Sequence, residues 1–392
     1  MRVLYVLHSS HASEGSSKAA LSLVRGCKQY GVQPYVVMPG RYDLYDKMKG
    51  EGVNVLSLNY RCSTYPYLRS VRDYLLFLPR LLARLCLNGL AMQRIAKLVK
   101  EHKIELVHTN VSVVDIGYRV AMRAGIPHVY HIREYAEKIG MHHFPSASSF
   151  SRQLHRGKPS YSIAITKALA AHYQLSNNPT CRIVYDGVLP RNELSILPKE
   201  RYFLYAGRMQ YVKGVDLLLR GYADYARSTS NPVPLYLAGP LDTGRYQQVV
   251  SSIVSENRLS DLVRFLGERD DVTALMSHAL ALIVPSRFEG FGLCMPEAMF
   301  NGCLVIAHQA YGLAEQLENG REMHGADIAL SYQSVQELTQ LLDEVATRGI
   351  MPFMPLIHRA HATACSLYSS EVHVENVCSF YQYIYSQSHG GA

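Results

Sequence analysis

The strongest constraint on the fold is an alternation of strand and helix patterns that runs through the chain and then restarts. Short apolar runs that read as strands occur at 3–7, 33–37, 54–58, 106–109 and 128–131, and again at 202–206, 235–238, 263–266, 281–284 and 304–307. Segments with helical spacing lie between them at 18–30, 42–50, 72–102, 115–124, 215–227, 246–257, 272–278 and 296–301. Because such alternation builds βαβ units, each series predicts a doubly wound parallel sheet.

The two series predict two α/β domains in the 392 residues. Pro190 and Pro198 bracket a polar stretch between the series, so we place the domain boundary there. The predicted domains are 1–190 and 191–369, and a final helical segment covers 370–392.

The charge balance favours an anionic partner. The formal net charge is +8 at pH 7, which suits a nucleotide, a phosphorylated lipid or a membrane surface, although a merely soluble basic protein is equally compatible. Lysines and arginines are not clustered with aromatic residues, so we expect no nucleic-acid binding. Eight scattered cysteines without a CxxC pair indicate reduced thiols and a cytoplasmic location. We expect no signal peptide and no membrane-spanning helix.

The segment 67–100 combines leucine-rich helical spacing with arginines and lysines. A basic amphipathic stretch of this kind can lie on an anionic membrane surface. A long core helix with a solvated basic edge explains the same pattern equally well, and Pro79 is expected to start or kink the helix.

The most specific motif is a glycine turn flanked by two acids. Glu289 precedes Gly290–Phe291–Gly292–Leu293, and Glu297 follows, directly after the predicted strand 281–284. Glycines between a strand and a helix let the backbone approach a ligand, and helix N-termini suit phosphates or hydroxyls. Either acid alone would be read as a solvated carboxylate near a helix N-terminus. The two together indicate hydrogen bonds to sugar hydroxyls.

A second motif follows the predicted strand 202–206. Gly207 and Arg208 are followed by Lys213 and Gly214. Arginine offers a bidentate fork to phosphate and lysine a movable charge, so the pair can neutralise a departing diphosphate. Taken alone, this motif is also compatible with an ordinary basic turn.

Together, the two motifs resemble those of the retaining glycosyltransferases of family 4. That resemblance implies the GT-B fold, in which two Rossmann-like domains face each other across a cleft. It extends to Phe265–Gly267, Val284–Ser286, Gly302–Ile306 and Val184–Val188, although the family more often has Asn where Asp186 stands. The first domain would then face the acceptor, the second would bind the donor, and 370–392 would cross back to the first.

The same resemblance implies roles for individual residues. Arg208 and Lys213 would contact the donor diphosphate, with Gly207 beside them. Glu289 would lie by the transferred sugar and Glu297 would bind the ribose. The backbone of Gly290, Phe291, Gly292 and Leu293 would complete the donor site.

In the first domain the resemblance is carried by fewer residues. His131 ends a predicted strand where the family places a cleft histidine near the donor sugar, although a satisfied core histidine is a serious alternative. Gly15 and Ser16 stand where the family often has two glycines near the donor phosphate and acceptor. The Arg133–Glu134 pair resembles a subgroup that builds bacterial surface polysaccharides.

The predicted function is retaining transfer of a hexose-type sugar from a UDP- or GDP-sugar to a glycan or lipid-linked acceptor. We expect no cofactor and no metal, because Asp270 and Asp271 are adjacent rather than spaced as in a DxD motif. The enzyme would be cytoplasmic or peripheral at the inner face of the membrane. The alternatives are a sugar-nucleotide epimerase or other GT-B class, and an inactive binding homologue.

Overall fold

The computed structural model describes residues 1–66, 68, 70–138 and 140–389. Residues 67 and 69 of the predicted amphipathic segment, and 390–392 of the predicted final segment, lie outside the described residues. The chain divides into two compact units, Met1–Gly187 together with the chain from Ser370 onward, and Val188–Ser369. The end of the first part at Gly187 lies three residues before the predicted boundary.

The first unit is built on a parallel sheet. Its strands are β1 (Arg2–Val6), β2 (Gln33–Met38), β3 (Asn54–Ser57), β4 (Thr64–Pro66), β5 (Leu106–Thr109), β6 (His128–Ile132), β7 (Met141–His143), β8 (Ser160–Ala164) and β9 (Cys181–Ile183). Strands β4 and β7 form an antiparallel pair, whereas the others lie in the order β3-β2-β1-β5-β6-β8-β9 with parallel neighbours. β1 is almost fully buried, as expected of a strand that is covered on both faces.

Helices cover this sheet. They are α1 (Gly15–Gly26), α2 (Asp43–Gly50), α3 (Val71–Glu101), α4 (Ile116–Ala124), α5 (Ala147–Leu154) and α6 (Lys167–His172). The sequence pattern did not reveal β8, because Ser160 and Ser162 alternate with its apolar residues and make a buried strand look polar. Both serines are nevertheless buried.

The second unit repeats the architecture. Its strands are β10 (Phe203–Ala206), β11 (Leu235–Ala238), β12 (Val263–Gly267), β13 (Ala281–Val284), β14 (Val305–His308) and β15 (Leu330–Tyr332). They form a parallel sheet in the order β12-β11-β10-β13-β14-β15. The helices are α7 (Val215–Ser228), α8 (Arg245–Glu256), α9 (Val272–His278), α10 (Cys294–Phe300), α11 (Tyr311–His324), α12 (Val335–Arg348) and α13 (Met354–Leu367). The predicted fold class, two doubly wound Rossmann-like domains, is confirmed.

The final helix α14 (Ser370–His389) belongs to the first unit. Val374 packs against Gly26 of α1, where an added Cβ would lie 2.6 Å from Val374 Cγ2. Tyr381 is fully buried and its hydroxyl lies 2.7 Å from His108 Nδ1. The chain therefore returns to the first sheet after completing the second.

Helix α3 fits neither of the two interpretations of the segment 67–100 completely. Its second part is packed through Ala91, Ile95 and Val99, whereas most side chains from 71 to 90 are exposed or half-buried. By length and composition the helix is apolar enough to cross a membrane, which the sequence analysis did not anticipate. Pro79 lies inside the helix rather than at its start.

Candidate functional site

Gly214 fixes the course of the loop that carries the predicted phosphate-binding cations. It has a left-handed φ of +69°, and an added Cβ would lie 2.0 Å from the carbonyl oxygen of Pro285. Only glycine fits this conformation and this close approach. The loop after β10 is thereby held against the residues that follow β13.

This close approach brings Lys213 and Glu289 into contact. Lys213 Nζ lies 2.6 Å from Glu289 Oε1, and the Ser286 hydroxyl donates to the same oxygen at 2.8 Å. Burial opposes the charged form of Lys213, but the Glu289 carboxylate outweighs it and raises the lysine pKa. The sequence assigned these residues to different parts of the donor, whereas the structure pairs them directly.

Arg208 is the exposed cation of the same loop. Its backbone carbonyl accepts a hydrogen bond from Tyr205 at 2.9 Å, which fixes the main chain. Among the described residues its guanidinium has no hydrogen-bond or ion-pair partner, and its charge acts against that of Lys213. The group is therefore available to an anion next to the Lys213–Glu289 pair.

The glycine turn is held by helix α11. Gly292 has a φ of +92°, and an added Cβ would lie 2.6 Å from Leu313. Gln316 donates to the Phe291 carbonyl at 2.6 Å. The Phe291 side chain is buried against Tyr368, so this residue can serve a ligand only through its backbone. The backbone role in donor binding stays a prediction.

Helix α10 begins directly after this turn, with Leu293 as its N-cap residue. Glu297 lies in the first helical turn and is half-buried. Its backbone carbonyl accepts a hydrogen bond from Asn301 at 2.7 Å. The acid therefore has the position in the helix that the sequence predicted.

A second ion pair, which the sequence analysis missed, ties the two motif loops together. Arg287 binds Asp216 through both terminal nitrogens, at 2.8 and 2.7 Å. Its guanidinium lies 4.3 Å from the centre of the Tyr211 ring. Burial raises the pKa of Asp216, but Arg287 outweighs this effect and the pKa is lowered. The only sequence signal was opposite charges beside the two motifs, Asp216 after Gly214 and Arg287 before Glu289.

In the first unit, His131 is fully buried at the end of β6. Its Nδ1 lies 3.2 Å from Arg133 Nη2 and 3.2 Å from His108 Nε2. Since arginine can only donate, Nδ1 must accept, and the ring proton lies on Nε2. Burial, followed by the charge of Arg133, holds the pKa of His131 well below its usual value. His131 is therefore a neutral hydrogen-bond donor.

Arg133 also explains the aspartate at position 186. Its Nη1 contacts the Asp186 carboxylate, and both side chains are about 5% exposed. An asparagine at this position would leave the buried guanidinium without a counter-charge. The departure from the family's asparagine is thus paired with an arginine that directly follows β6.

His131, Asp186 and His373 form the kind of cluster that can hold a metal ion. One ligand atom from each lies within 4.8 Å of the others. Arg133 contacts the same carboxylate, so a cation at this position would be repelled by the guanidinium. The described contacts therefore favour Arg133 over a metal ion as the group that neutralises the Asp186 carboxylate.

Gly15 and Ser16 form the first turn of α1. Asn110, which follows β5, donates to the Ser16 carbonyl at 2.9 Å, and its own carbonyl accepts from Arg133 Nε at 3.1 Å. The predicted residues of the first unit, Ser16 and His131, are thus connected through Asn110 and Arg133.

Two family models match successive parts of the chain. Residues 14–185 match the glycosyl transferase 4-like domain, and residues 190–350 match the glycosyl transferases group 1. The chain belongs to the group 1 glycosyl transferases. Its two motif loops lie within the second match.

Curated relatives cover parts of this glycosyltransferase. An uncharacterized glycosyltransferase of Bacillus subtilis is 30% identical over 179 residues, which is 44% of this chain and 46% of that protein. The O-antigen chain mannosyltransferase B of Escherichia coli is 30% identical over 158 residues, which is 36% of this chain and 41% of that protein. The chain thus spans less than half the length of these relatives.

Among solved structures, the fold is similar to that of the Anabaena protein HepE in complex with UDP. The TM-score is 0.76 with 16% identity, and the match covers 98% of this chain and 100% of that chain. At this identity the likeness concerns the fold, which is the GT-B fold of glycosyltransferases.

Proposed function

We propose that this group 1 glycosyltransferase moves a hexose-type sugar from a UDP- or GDP-sugar to a glycan or lipid-linked acceptor in surface-polysaccharide biosynthesis. The observation that carries the proposal is the contact between Lys213 and Glu289, beside the exposed Arg208, at the carboxyl ends of β10 and β13. Open α/β sheets bind their ligands at this edge. HepE with UDP and the O-antigen mannosyltransferase support the donor class and the setting.

In the proposed reaction, Arg208 and Lys213 bind the donor diphosphate. The bond between the anomeric carbon and the diphosphate oxygen breaks, and the two cations stabilise the charge that develops on the leaving group. Glu289 accepts hydrogen bonds from the sugar, while Glu297 accepts them from the ribose. Because side chains supply the positive charge, we propose that no metal is required.

We further propose retention of configuration. The acceptor hydroxyl attacks from the side on which the diphosphate leaves, and a phosphate oxygen takes its proton. His131 is fully buried, so its ring does not reach a sugar hydroxyl, and its protonated Nε2 cannot act as the base. Product analysis by NMR, which distinguishes α from β linkages, tests this assignment.

The donor site is tested by thermal denaturation with a panel of UDP- and GDP-sugars. A nucleotide sugar that binds the folded protein raises the melting temperature. We expect Arg208→Ala to reduce this shift and turnover, the latter by about 100-fold. Arg220→Ala, which removes an exposed cation from α7, serves as the matched control. If no nucleotide sugar raises the melting temperature, the proposed function is wrong.

We also propose that helix α3 holds the enzyme on an anionic membrane surface, at its cytoplasmic face. Leu75, Leu78 and Leu82 are 73%, 60% and 55% exposed, and exposed arginines and lysines accompany them along the helix. Apolar side chains with basic neighbours suit the boundary of an anionic bilayer. Arg84 is buried against the rings of Tyr65 and Phe144 in the middle of this segment, which favours lying on the membrane over crossing it.

Flotation with lipid vesicles tests the membrane proposal. Vesicles of phosphatidylcholine with phosphatidylglycerol should bind the protein, pure phosphatidylcholine should bind it less, and salt should weaken binding. Leu78→Glu/Leu82→Glu should abolish flotation, whereas Met351→Glu, at a 74% exposed methionine of the second unit, should not. Equal flotation of both variants, or a dimer that buries α3, would contradict the proposal.

A further inference from the structure

A cavity of about 690 Å³ lies in the first unit, away from the residues assigned above. Its walls are formed by β7, the start of α5 and the end of α6. The hydroxyl of the lining residue Tyr173 donates to the carbonyl of Glu134, two residues beyond the carboxyl end of β6, so the cavity lies towards the edge of the sheet where ligands bind in this class of fold. Its volume is within the range of small-molecule sites, about 300–1,000 Å³.

Aromatic rings form part of the cavity wall. The His143 ring stacks on Phe150 with centroids 3.9 Å apart, and Tyr173 lies 5.8 Å from Phe150. Burial lowers the pKa of His143 to about 4, so this ring is uncharged at neutral pH. Its buried Nε2 has no hydrogen-bond partner among the described residues. A polar atom of this kind requires a partner from water or from a ligand.

The cavity wall carries no fixed positive charge. Glu137 contacts the His172 ring, and the described lining residues include no lysine or arginine. The hydroxyls of Ser146 and Ser148 lie 2.9 Å apart at the start of α5. A phosphate would find no unpaired cation here, whereas a sugar ring would find hydroxyl partners and ring faces for its C–H groups.

The cavity wall is linked to helix α3 through strand β4. Tyr65 of β4 pairs with His142 of β7, which lines the cavity. The Arg84 guanidinium of α3 lies 4.2 Å from the Tyr65 ring and 4.4 Å from the Phe144 ring. A ligand with a sugar head group and a lipid tail could therefore use the cavity and the apolar side chains of α3 together.

From these observations we propose that the cavity binds a neutral sugar ring of a lipid-linked acceptor. This inference rests on the proposed glycosyltransferase function but concerns a site separate from the donor loops. The cavity would hold the acceptor glycan through ring stacking and hydroxyl contacts.

The proposal is tested by saturation-transfer NMR with methyl α-D-glucopyranoside, methyl α-D-mannopyranoside and methyl α-D-galactopyranoside. We expect at least one of them to bind, and Ser148→Trp, which fills the cavity, to weaken that binding by about tenfold. Arg152→Trp is the control, because it adds the same ring to an exposed residue of α5 outside the cavity. If Ser148→Trp does not fold, His172→Ala, at an exposed lining residue, takes its place.

Three results would overturn the inference: no glycoside binds, the Trp variants bind equally, or inorganic phosphate displaces the sugar. Donor-induced thermal stabilisation is measured on the same variants and reports on donor binding rather than on the cavity. A normal donor shift with no loss of sugar binding in Ser148→Trp rejects the cavity but keeps the proposed function. If Ser148→Trp abolishes sugar binding but no nucleotide sugar raises the melting temperature, the cavity remains a sugar site and the proposed transferase function is wrong.

Discussion

The contact between Lys213 and Glu289 predicts a specific coupling between stability and donor binding. The two charged groups lie 2.6 Å apart, and their side chains are 30% and 10% exposed. Coulomb attraction at an effective dielectric constant of 20 is about 6 kcal/mol at this distance. Desolvation of both ions and the partial exposure of the lysine offset most of it, so we expect a net coupling of about 1–2 kcal/mol.

Lys213→Met, Glu289→Gln and the double variant measure this coupling in urea unfolding. Each single change leaves one charge without its partner, so the double variant should lose about 1–2 kcal/mol less than the two single losses combined. The affinity for UDP should show the same coupling between Lys213 and Glu289. In Lys213→Met the unpaired Glu289 carboxylate repels the diphosphate, and the added Glu289→Gln should restore part of the affinity measured by calorimetry.

Two results would refute the reasoning. The first is additive losses of stability, within about 0.5 kcal/mol. The second is equal UDP affinity in Lys213→Met and the double variant, which would mean that Glu289 does not face the diphosphate-binding cation in solution.

Further predictions concern a glycine, a histidine and an aspartate. Gly214→Ala places a Cβ 2.0 Å from the Pro285 carbonyl oxygen, so it should lower the free energy of unfolding by at least about 3 kcal/mol in scanning calorimetry. Gly244→Ala, with φ +85° and open space around the Cβ, should lower it by about 1 kcal/mol. Equal losses would be inconsistent with this packing. Burial lowers the pKa of His128 to about 3. Below the unperturbed histidine pKa of about 6.5, the unfolded chain therefore binds more protons than the folded chain, and stability falls as the pH drops towards 3. His128→Gln should flatten the slope of unfolding free energy against pH by up to about 1.4 kcal/mol per unit, and parallel slopes would argue against a neutral buried ring. The lowered pKa of Asp216 contributes stability that is fully present above the unfolded value of about 4 and is lost as the pH falls through the folded value. Asp216→Asn should therefore cost less stability at pH 3 than at pH 7; an equal loss at both values would contradict the Arg287 pairing.

Much of the fold could be predicted because buried parallel strands are continuous apolar runs. The strand in 281–284 was predicted with the bounds that β13 has. β8 was missed because its buried serines interrupt the apolar pattern, and α11 because its apolar residues follow no clear helical period in the sequence. The spacing of apolar residues in a sequence indicates which positions are buried only where the buried side chains are themselves apolar.

The candidate donor-site residues could be named from the sequence because motif chemistry is local. A glycine turn between two acids is visible in the sequence, and so is a loop with two cations. The pairing of Lys213 with Glu289, and of Asp216 with Arg287, joins residues more than 70 positions apart. No local pattern specifies such contacts, which depend on how β10 and β13 neighbour each other in the sheet.

The sequence by itself determined the two parallel sheets and the glycine turn, and it marked the candidate residues for a sugar nucleotide, because these depend on local patterns of burial and charge. Only the tertiary structure decided that Arg133 neutralises Asp186 and fixes the proton of His131 on Nε2. It also decided that α3 exposes its leucines between residues 71 and 90. Which side chains are buried and which are paired depends on which segments come into contact, and segments distant in sequence come into contact only in the folded chain.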